Sequence, residues 1–289
     1  MPLSKDQDLL GKTAIVTGAT SGLGRASAEL LAARGARLEL VARSASKAEN
    51  ARSEIARATG NDEIGIVIAD LASQAAVRGA AEQLLERCER IDLLLNNAGI
   101  TNLRRELTSD GIEATFAVNH LAYFLLTELL LGRVCETQGA RIVSVASDAH
   151  RFSGPLDLDD LEAENHYAAM RVYGRSKGAN ILWTRELARR IEGSGVTANS
   201  LHPGFVRSSL GANNGAFGKI AIKIAGLFAM SARKAAGYVV DVCTNPALAS
   251  TSGAYFYKAK LHEPKTWATD ESTAKRLWEI SERMTGATR

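Results

Sequence analysis

The 289-residue sequence predicts an α/β fold of one domain, with a doubly wound parallel sheet of about seven strands and helices on both of its faces. Short apolar runs alternate along the chain with longer segments whose apolar residues recur every three or four positions. Strands that are apolar throughout and separated by helices are typical of a parallel sheet covered on both faces. No Pro/Ser-rich linker or internal repeat interrupts the alternation, so we expect residues 1–289 to form a single domain.

The short apolar runs define the strands, and the periodic segments between them define the helices. Strands are predicted at Thr13–Thr17, Arg37–Ala42, Ile64–Ala69, Ile91–Leu95, Ala140–Ala146, Val196–Leu201 and Gly253–Tyr257. Helices are predicted, among other places, at Leu23–Arg34, Ala45–Thr59 and Ala75–Arg90. Because connections between parallel strands cross over in a right-handed sense, this order favours a sheet wound outwards in both directions.

One segment breaks the alternation. Residues 208–231 are rich in glycine, and the apolar stretch Phe217–Met230 carries Lys219 and Lys223 on one predicted helical face. The stretch could be a helix that packs on the surface, a lid over a substrate site, or a patch that touches a membrane surface. We expect the whole segment to be a substrate-side insertion or lid.

Composition and charge are those of an ordinary globular protein. The chain is 46% apolar and 23% charged with a net charge of +3, which gives no argument for binding nucleic acid. No apolar run reaches about 18 residues and charges interrupt the first ten, so we expect neither a transmembrane segment nor a secretory leader. The cysteines form no CxxC pair and the histidines show no zinc spacing. We therefore expect free thiols, a cytoplasmic location and no metal site.

A glycine-rich turn follows the first predicted strand. The segment Thr17–Gly24 reads TGATSGLG and leads into a helical pattern. Glycines at such a turn let the backbone approach a pyrophosphate, whose negative charge is stabilised by the helix N-terminus. The sequence therefore predicts a Rossmann-type dinucleotide-binding turn, although its GxxxGxG spacing differs from the commoner GxGxxG.

Four motifs, in the family's own order, resemble the short-chain dehydrogenase/reductase family. They are the TGxxxGxG turn, Asn96-Asn97-Ala98-Gly99, the Tyr173-xxx-Lys177 pair and His202-Pro203-Gly204. The resemblance covers nearly the whole chain and implies hydride transfer between a nicotinamide and a carbonyl or alcohol. It implies cofactor contacts at Gly18, Thr20, Ser21, Gly22, Leu23, Gly24, Asp70, Leu71, Asn97, Ala98, Gly99, Tyr173, Lys177, Pro203, Gly204, Val206 and Ser208. For Asp70, capping of the following helix is the alternative.

The end of the second strand bears on which dinucleotide is bound. An acidic residue in this region hydrogen-bonds the ribose 2′-OH and repels a 2′-phosphate. The strand instead ends at Ala42, and the guanidinium of Arg43 can hold a 2′-phosphate by two charge-assisted bonds. Strand alternation directs the acidic Glu39 elsewhere. We therefore expect NADP(H) to be preferred over NAD(H), unless Arg43 is only a solvated loop residue or stacks on adenine.

Tyr173 and Lys177 are candidates for proton transfer. A spacing of four residues places them on one helical face, about one turn apart. A nearby cation lowers the pKa of a phenol, which is ordinarily near 10. Such a phenol can protonate the oxygen of a carbonyl under reduction, or accept the alcohol proton in reverse. The resemblance assigns these roles to Tyr173 and Lys177 and adds a contact from Lys177 to the nicotinamide ribose; an exposed pair on an amphipathic helix is the alternative.

Two further polar residues complete the candidate site. Ser147 follows the fifth predicted strand, where a hydroxyl can stabilise charge that grows on the substrate oxygen. Ser144, three residues earlier, is the alternative, and the unusually long separation from Ser147 to Tyr173 leaves that choice open. The resemblance implies that Asn119 links a water to the lysine, whereas a buried and satisfied side chain is the alternative for Asn119.

Several segments resemble the retinol-dehydrogenase-like branch of the family, which acts on lipophilic alcohols and carbonyls. These segments are Arg141–His150, the insertion at Arg151–His166, His202–Ser208, Gly253–Phe256 and Lys275–Trp278. The resemblance therefore implies an apolar small-molecule substrate. It also suggests a homodimer or homotetramer through the helices that carry Asn119 and Tyr173.

The sequence therefore predicts an NADP(H)-dependent alcohol dehydrogenase or carbonyl reductase. An NAD-dependent secondary alcohol dehydrogenase is the first alternative, and cofactor preference distinguishes the two. A non-catalytic dinucleotide-binding regulator is the second alternative. Such a regulator could lose Tyr173 or Lys177, and the presence of both residues argues against it.

Overall fold

The computed structural model of the chain describes residues 8–206 and 230–287. The insertion or lid predicted at residues 208–231 lies outside the described residues, apart from Met230 and Ser231. Ser208, which was predicted to contact the cofactor, lies outside them as well.

The described part of the chain forms one sheet of eight strands. They are β1 (Thr13–Thr17), β2 (Arg37–Ala42), β3 (Ile64–Ile68), β4 (Leu93–Asn96), β5 (Arg141–Val145), β6 (Thr197–His202), β7 (Tyr255–Tyr257) and β8 (Lys260–Leu261). Their order is β3-β2-β1-β4-β5-β6-β7-β8, and all pairs are parallel except β7 with β8. The predicted doubly wound parallel sheet is confirmed.

Helices cover both faces of this sheet. They are α1 (Gly22–Ala32), α2 (Ala45–Thr59), α3 (Gln74–Arg87), α4 (Ala114–Phe116), α5 (Ala122–Cys135), α6 (His150–Ser153), α7 (Ala169–Arg190), α8 (Ala232–Thr244) and α9 (Glu271–Thr285). One apolar layer joins α1, α2 and α8 to the sheet, and another joins α3, α5, α7 and α9 to its opposite face. Each large apolar side chain buried there stabilises the fold by roughly 1.5–3 kcal/mol.

Short polar residues determine where several helices begin. The side chains of Ser44, Ser73, Ser231 and Asp270 each accept a backbone N–H from the first turn of the helix that follows. Such caps satisfy amides that have no partner within the helix. Gly60 ends α2 in the left-handed conformation that glycine adopts without steric cost.

The sheet changes its winding direction between β1 and β4. β1 pairs with β2 on one side and with β4 on the other, and the later strands continue outwards from β4. In open parallel sheets, ligands bind outside the carboxyl ends of the strands at such a switch point. The turn after β1 and the loop after β4 are therefore the expected place for a binding site.

A continuous apolar helical segment runs through one of the two cores. α4, a π-helical turn (Ala117–Leu121) and α5 follow each other without a break. By length and composition alone, Ala114–Cys135 could cross a bilayer, but 89% of its most apolar window is buried inside the fold. A buried core helix meets the same criterion, so this helix is weak evidence for a membrane span.

The C-terminal helix α9 packs on α5 and α7. The Trp278 ring lies 5.0 Å from the Phe124 ring, and the Arg190 guanidinium lies 4.1 Å from the Trp278 ring centre. α9 therefore covers, within the same chain, part of the two helices through which an oligomer was predicted. The homodimer or homotetramer stays a prediction.

β8 is the strand that the sequence did not predict. It follows β7 through a two-residue turn, Lys258–Ala259, in which both residues have positive φ (50° and 62°). Such turns are ordinarily made by Asn and Gly. Because neither residue carries that signal, the sequence pattern gave no indication of this hairpin.

Candidate functional site

The glycine turn after β1 packs against the loop after β4. The Thr17 hydroxyl accepts the backbone N–H groups of Asn97 (2.9 Å) and Ala98 (3.1 Å), and Asn97 Nδ2 donates to the Thr17 carbonyl (2.8 Å). A methyl group on Gly18 would lie 2.8 Å from the Ala98 Cα, and one on Gly24 would overlap the Gly18 carbonyl. Only glycine fits at these two positions, which keeps both loops close enough to share one ligand.

The start of α1 presents its first amides to the same edge of the sheet. Ser21 is the extended N-cap residue of this 11-residue helix, and Gly22 has a φ of +53°. Thr20 lies in the turn, whereas Leu23 and Gly24 lie in the first helical turn. The predicted contacts of the glycine motif are therefore held in one turn that can bind an anion.

The end of β2 lies beside the glycine turn. The Gly18 amide donates to the Val41 carbonyl at 3.0 Å, and the exposed Arg43 directly follows β2. Glu39 is buried, with its carboxylate 3.4 Å from Arg37 Nη2, and burial raises the pKa of Glu39. The expectation that Glu39 points away from this edge agrees with its position.

Asp70 and Leu71 follow β3 as predicted, but Asp70 does not cap the next helix. Its Oδ1 accepts the Ala72 amide at 3.0 Å, while the Ser73 side chain caps α3. Asp70 therefore shapes the turn before α3 and its carboxylate is exposed. Leu71 is partly buried against the core.

Ser147, Tyr173 and Lys177 come together at the carboxyl end of β5. The Ser147 side chain lies close enough to the Tyr173 phenol to lower the pKa of that phenol. Lys177 lies one turn after Tyr173 on α7, with its Nζ 5.9 Å from the centre of the Tyr173 ring. The same Nζ donates to the Val145 carbonyl at 2.9 Å. Three of the four predicted catalytic residues thus share one location.

Burial changes the pKa of the Tyr173 phenol more than the neighbouring Lys177 does. It raises the pKa of Tyr173 to about 12, and the neighbouring Ser147 side chain opposes this rise. Burial also lowers the pKa of Lys177 to about 7. The expected lowering of the phenol pKa by Lys177 is therefore wrong for the protein alone, because desolvation outweighs an ammonium that is itself only partly charged at neutral pH.

The buried Lys177 predicts a dependence of stability on pH. Its pKa is about 7 in the folded protein and about 10.4 in an unfolded chain, so the unfolded chain binds more protons between these values. Lys177 is therefore expected to destabilise the fold most below pH ~7, and less as the pH rises towards ~10, by at most ~1.4 kcal/mol per pH unit. Urea unfolding of wild type and Lys177→Met across this range measures the effect. Stability curves that run parallel would contradict it.

Asn119 lies in the π-helical turn and is both buried and paired. Its Oδ1 accepts the Ile100 amide (2.8 Å), its Nδ2 donates to the Ile100 carbonyl (3.0 Å), and its own carbonyl accepts from Asn180 Nδ2 (2.8 Å). A methyl group on Gly99 would lie 3.3 Å from Asn119 Oδ1 and 3.4 Å from Lys177 Nζ. Asn119 is thus a satisfied buried residue that also flanks Lys177 above the loop after β4.

The two serine candidates differ in their surroundings. Ser144 lies inside β5 and is fully buried, and its Oγ has no hydrogen-bond partner among the described residues. Ser147 lies beyond the end of β5, where its Oγ accepts the Ala149 amide at 3.1 Å. That bond uses a lone pair and leaves the Ser147 hydroxyl hydrogen to donate towards Tyr173 or a substrate oxygen. The geometry favours Ser147.

The loop after β6 closes another side of the site. Pro203 and Gly204 are buried, and Gly204 has a φ of +94° with the Lys258 side chain above it. Val206 pairs with Met230 through a single parallel bridge. Three of the predicted cofactor contacts, Pro203, Gly204 and Val206, therefore lie in this loop.

The acidic insertion before Tyr173 is anchored by basic side chains. Arg105 contacts Glu162 and Glu164, and Arg276 lies 2.7 Å from Asp159. The acidic residues of the insertion thus hold it against the loop after β4 and against α9.

Sequence reasoning missed Tyr123. Its hydroxyl donates to the Ala98 carbonyl at 2.7 Å, and Lys177 Nζ lies 5.4 Å from its ring centre. The only signal for it was a position one helical turn after Asn119. His150, Tyr255 and Trp267 were also missed, and no local motif indicates them.

Comparison with known proteins agrees with this geometry. The family model for short chain dehydrogenases matches residues 12–218. Human retinol dehydrogenase 14 is 40% identical over 96% of this chain and 87% of its own length, and human retinol dehydrogenase 13 is 40% identical over 96% and 85%. A short chain dehydrogenase from Burkholderia cenocepacia, solved in complex with NADP, is 32% identical with a TM-score of 0.67 over 86% of this chain and 96% of that chain.

A match that covers most of the chain, together with relatives at this identity, is decisive for family membership. The chain belongs to the short-chain dehydrogenase/reductase family, in its retinol-dehydrogenase-like branch.

Proposed function

We propose that the protein is an NADP(H)-dependent oxidoreductase that interconverts a lipophilic carbonyl compound and its alcohol. The observation that carries the proposal is that Ser147, Tyr173 and Lys177 meet at the carboxyl end of β5, with Lys177 Nζ 5.9 Å from the centre of the Tyr173 ring. This group lies at the edge of the sheet where the glycine turn and the Asn97–Gly99 loop also lie.

The described residues fit a nicotinamide dinucleotide. The glycine turn and the N-terminus of α1 would hold the pyrophosphate, because the first amides of α1 have no partner within the helix and Gly18 and Gly24 let the turn pack against the loop after β4. The loop after β4, Lys177 and the loop after β6 would hold the nicotinamide end. When bound, the nicotinamide supplies or accepts the hydride.

Proton transfer would be performed by this chain's own side chains. In reduction, the Tyr173 hydroxyl donates its proton to the substrate oxygen, while the Ser147 hydroxyl donates a hydrogen bond to that oxygen. In oxidation, the deprotonated phenol accepts the proton of the alcohol. A pKa of about 12 leaves Tyr173 protonated at neutral pH, which is the form that reduction needs.

Arg43 supports NADP(H) over NAD(H). Arg43→Ala is expected to raise the Kd for NADPH about 10- to 100-fold and the Kd for NADH less than about 2-fold, because only NADPH carries the 2′-phosphate that a guanidinium binds. Fluorescence titration with each nucleotide measures both constants. Arg52→Ala is the control, since Arg52 pairs with Glu49 on the neighbouring helix. Equal weakening of both nucleotides would favour the alternative, an NAD-dependent secondary alcohol dehydrogenase.

A lipophilic substrate is supported by apolar side chains around the same edge. Phe152, Met170 and Phe205 are 90%, 67% and 58% exposed, and each lies within five residues of Ser147, Tyr173 or Gly204. The relatives named retinol dehydrogenases point to the same class of substrate.

A carbonyl panel assayed by loss of NADPH absorbance tests the function. The panel contains retinal, long-chain aldehydes, and short polar aldehydes and ketones. We expect turnover of the apolar members and a lower KM with increasing apolar surface. Tight NADPH binding without turnover of any member would favour the non-catalytic regulator. A cytoplasmic location belongs to the proposal too, and cell fractionation tests it.

A further inference from the structure

His150 is a fully buried histidine three residues after Ser147. Its Nδ1 lies 2.7 Å from the Ser147 carbonyl oxygen, and its Nε2 lies 3.2 Å from the Lys265 backbone nitrogen. A backbone N–H can only donate, so Nε2 accepts and is unprotonated. The ring proton is therefore on Nδ1 and is donated to the Ser147 carbonyl, which assigns the tautomer from heavy-atom positions alone.

Aromatic rings hold the imidazole in this orientation. The ring centres of Tyr255 and Trp267 lie 5.4 and 6.1 Å from that of His150, with interplanar angles of 82° and 69°. Burial lowers the pKa of His150, which keeps the ring neutral. A neutral ring is required here, because a proton on Nε2 would face the Lys265 N–H.

The segment from Tyr255 to Trp267, which packs on His150, also contacts the helix that carries Tyr173 and Lys177. A methyl group on Gly178 would overlap the Trp267 ring, so this tryptophan packs directly on α7 one residue after Lys177. The Tyr255 hydroxyl donates to Asp148 Oδ1 at 2.8 Å, next to Ser147. This segment thus contacts both the turn at Ser147 and helix α7, through Tyr255, Lys265 and Trp267.

We propose that His150 is a positioning residue: its Nδ1–H fixes the Ser147 carbonyl, and with it the direction in which the Ser147 hydroxyl donates. The Ser147 Oγ is already held by the Ala149 amide (3.1 Å), so the peptide on either side of Ser147 sets the orientation of the hydroxyl. This inference rests on the proposed function, because it concerns the orientation of the Ser147 hydroxyl in the proposed interconversion of carbonyl and alcohol.

Two substitutions separate positioning from packing. His150→Phe keeps an aromatic ring but removes the donor, and His150→Asn places an amide N–H near the position of Nδ1. We expect His150→Phe to lower kcat about 10- to 100-fold, with the KM and the NADPH Kd changed less than about 3-fold. His150→Asn should recover most of kcat. His262→Phe, at an exposed histidine of the same region, is the control and should behave as wild type. Equal losses in His150→Phe and His150→Asn would overturn the proposal.

A double-mutant cycle tests whether His150 acts through Ser147. In a Ser147→Ala background, His150→Phe should lower kcat by less than about 2-fold, because the hydroxyl that it positions is gone. Effects that multiply independently would overturn the proposal.

Two measurements are independent of turnover. Nitrogen chemical shifts of the His150 ring should show a protonated Nδ1 and an unprotonated Nε2 at neutral pH, and amide exchange at Ala149 should be about 10-fold faster in His150→Phe. A protonated Nε2 or unchanged exchange would overturn the positioning role even in an active enzyme. If wild type turns over no member of the carbonyl panel while both results are as expected, the proposed reaction fails and the positioning of Ser147 stands.

Discussion

Replacing Tyr173 with phenylalanine is expected to lower kcat about 10²- to 10⁴-fold while the Kd for NADPH changes less than about 2-fold. The phenylalanine keeps the ring between Ser147 and Lys177 but has no proton to give to the substrate oxygen. Loss of the hydroxyl also removes the phenol that lies beside the Ser147 side chain. Steady-state oxidation of NADPH with the best carbonyl of the panel measures kcat, and fluorescence titration measures the Kd.

Tyr238→Phe is the matched control for this variant. Tyr238 lies on α8, which packs on the opposite face of the sheet, so removal of its hydroxyl should leave kcat unchanged. Turnover of Tyr173→Phe at the wild-type rate would contradict the role of Tyr173 in proton transfer. A similar loss in both variants would point to general destabilisation instead.

The fold and the glycine turn could be predicted because their signals are local. β1 and β2 begin and end at the predicted residues, since each is a short apolar run. The glycines of the turn after β1 had to be glycine, because the Asn97–Gly99 loop approaches closely and the sequence displays that constraint directly. The four-residue spacing of Tyr173 and Lys177 likewise placed both on one face of α7 without knowledge of the rest of the chain.

The protonation states of the site could not be predicted in the same way. The sequence showed an ammonium close to a phenol, which argues for a lowered phenol pKa. Burial reverses that argument: it raises the pKa of Tyr173 to about 12 and lowers that of Lys177 to about 7. Burial depends on how α5, α7 and β5 pack together, and no spacing within one helix reports it.

The contacts that hold the turn at Ser147 could not be predicted from the sequence either, because they come from residues distant along the chain. Lys265 lies 115 positions from His150, and Tyr255 lies 107 positions from Asp148. Their contacts exist only because β7 pairs with β6 and the chain then returns across the end of β5. A histidine three residues after a candidate serine carries no such information by itself.

Ser147→Ala is expected to lower kcat about 10²- to 10³-fold, whereas Ser144→Ala should leave it unchanged. Ser147 lies beyond β5 and beside Tyr173, so its hydroxyl can donate to an oxygen that gains negative charge during reduction. Ser144 lies inside the strand and is fully buried. Parallel measurement of kcat, the KM and the NADPH Kd for both variants compares the same chemical change at two sites three residues apart.

Stability should rank the two variants in the same order as activity does. The Ser144 hydroxyl is buried with no hydrogen-bond partner among the described residues, so its removal relieves a desolvated polar group and is expected to be neutral or stabilising by up to ~1 kcal/mol. Ser147→Ala loses the acceptor of the Ala149 amide and should be neutral or slightly destabilising. An active Ser147→Ala together with an inactive but stable Ser144→Ala would transfer the role to Ser144, and it would require β5 to present Ser144 at the site rather than within the sheet.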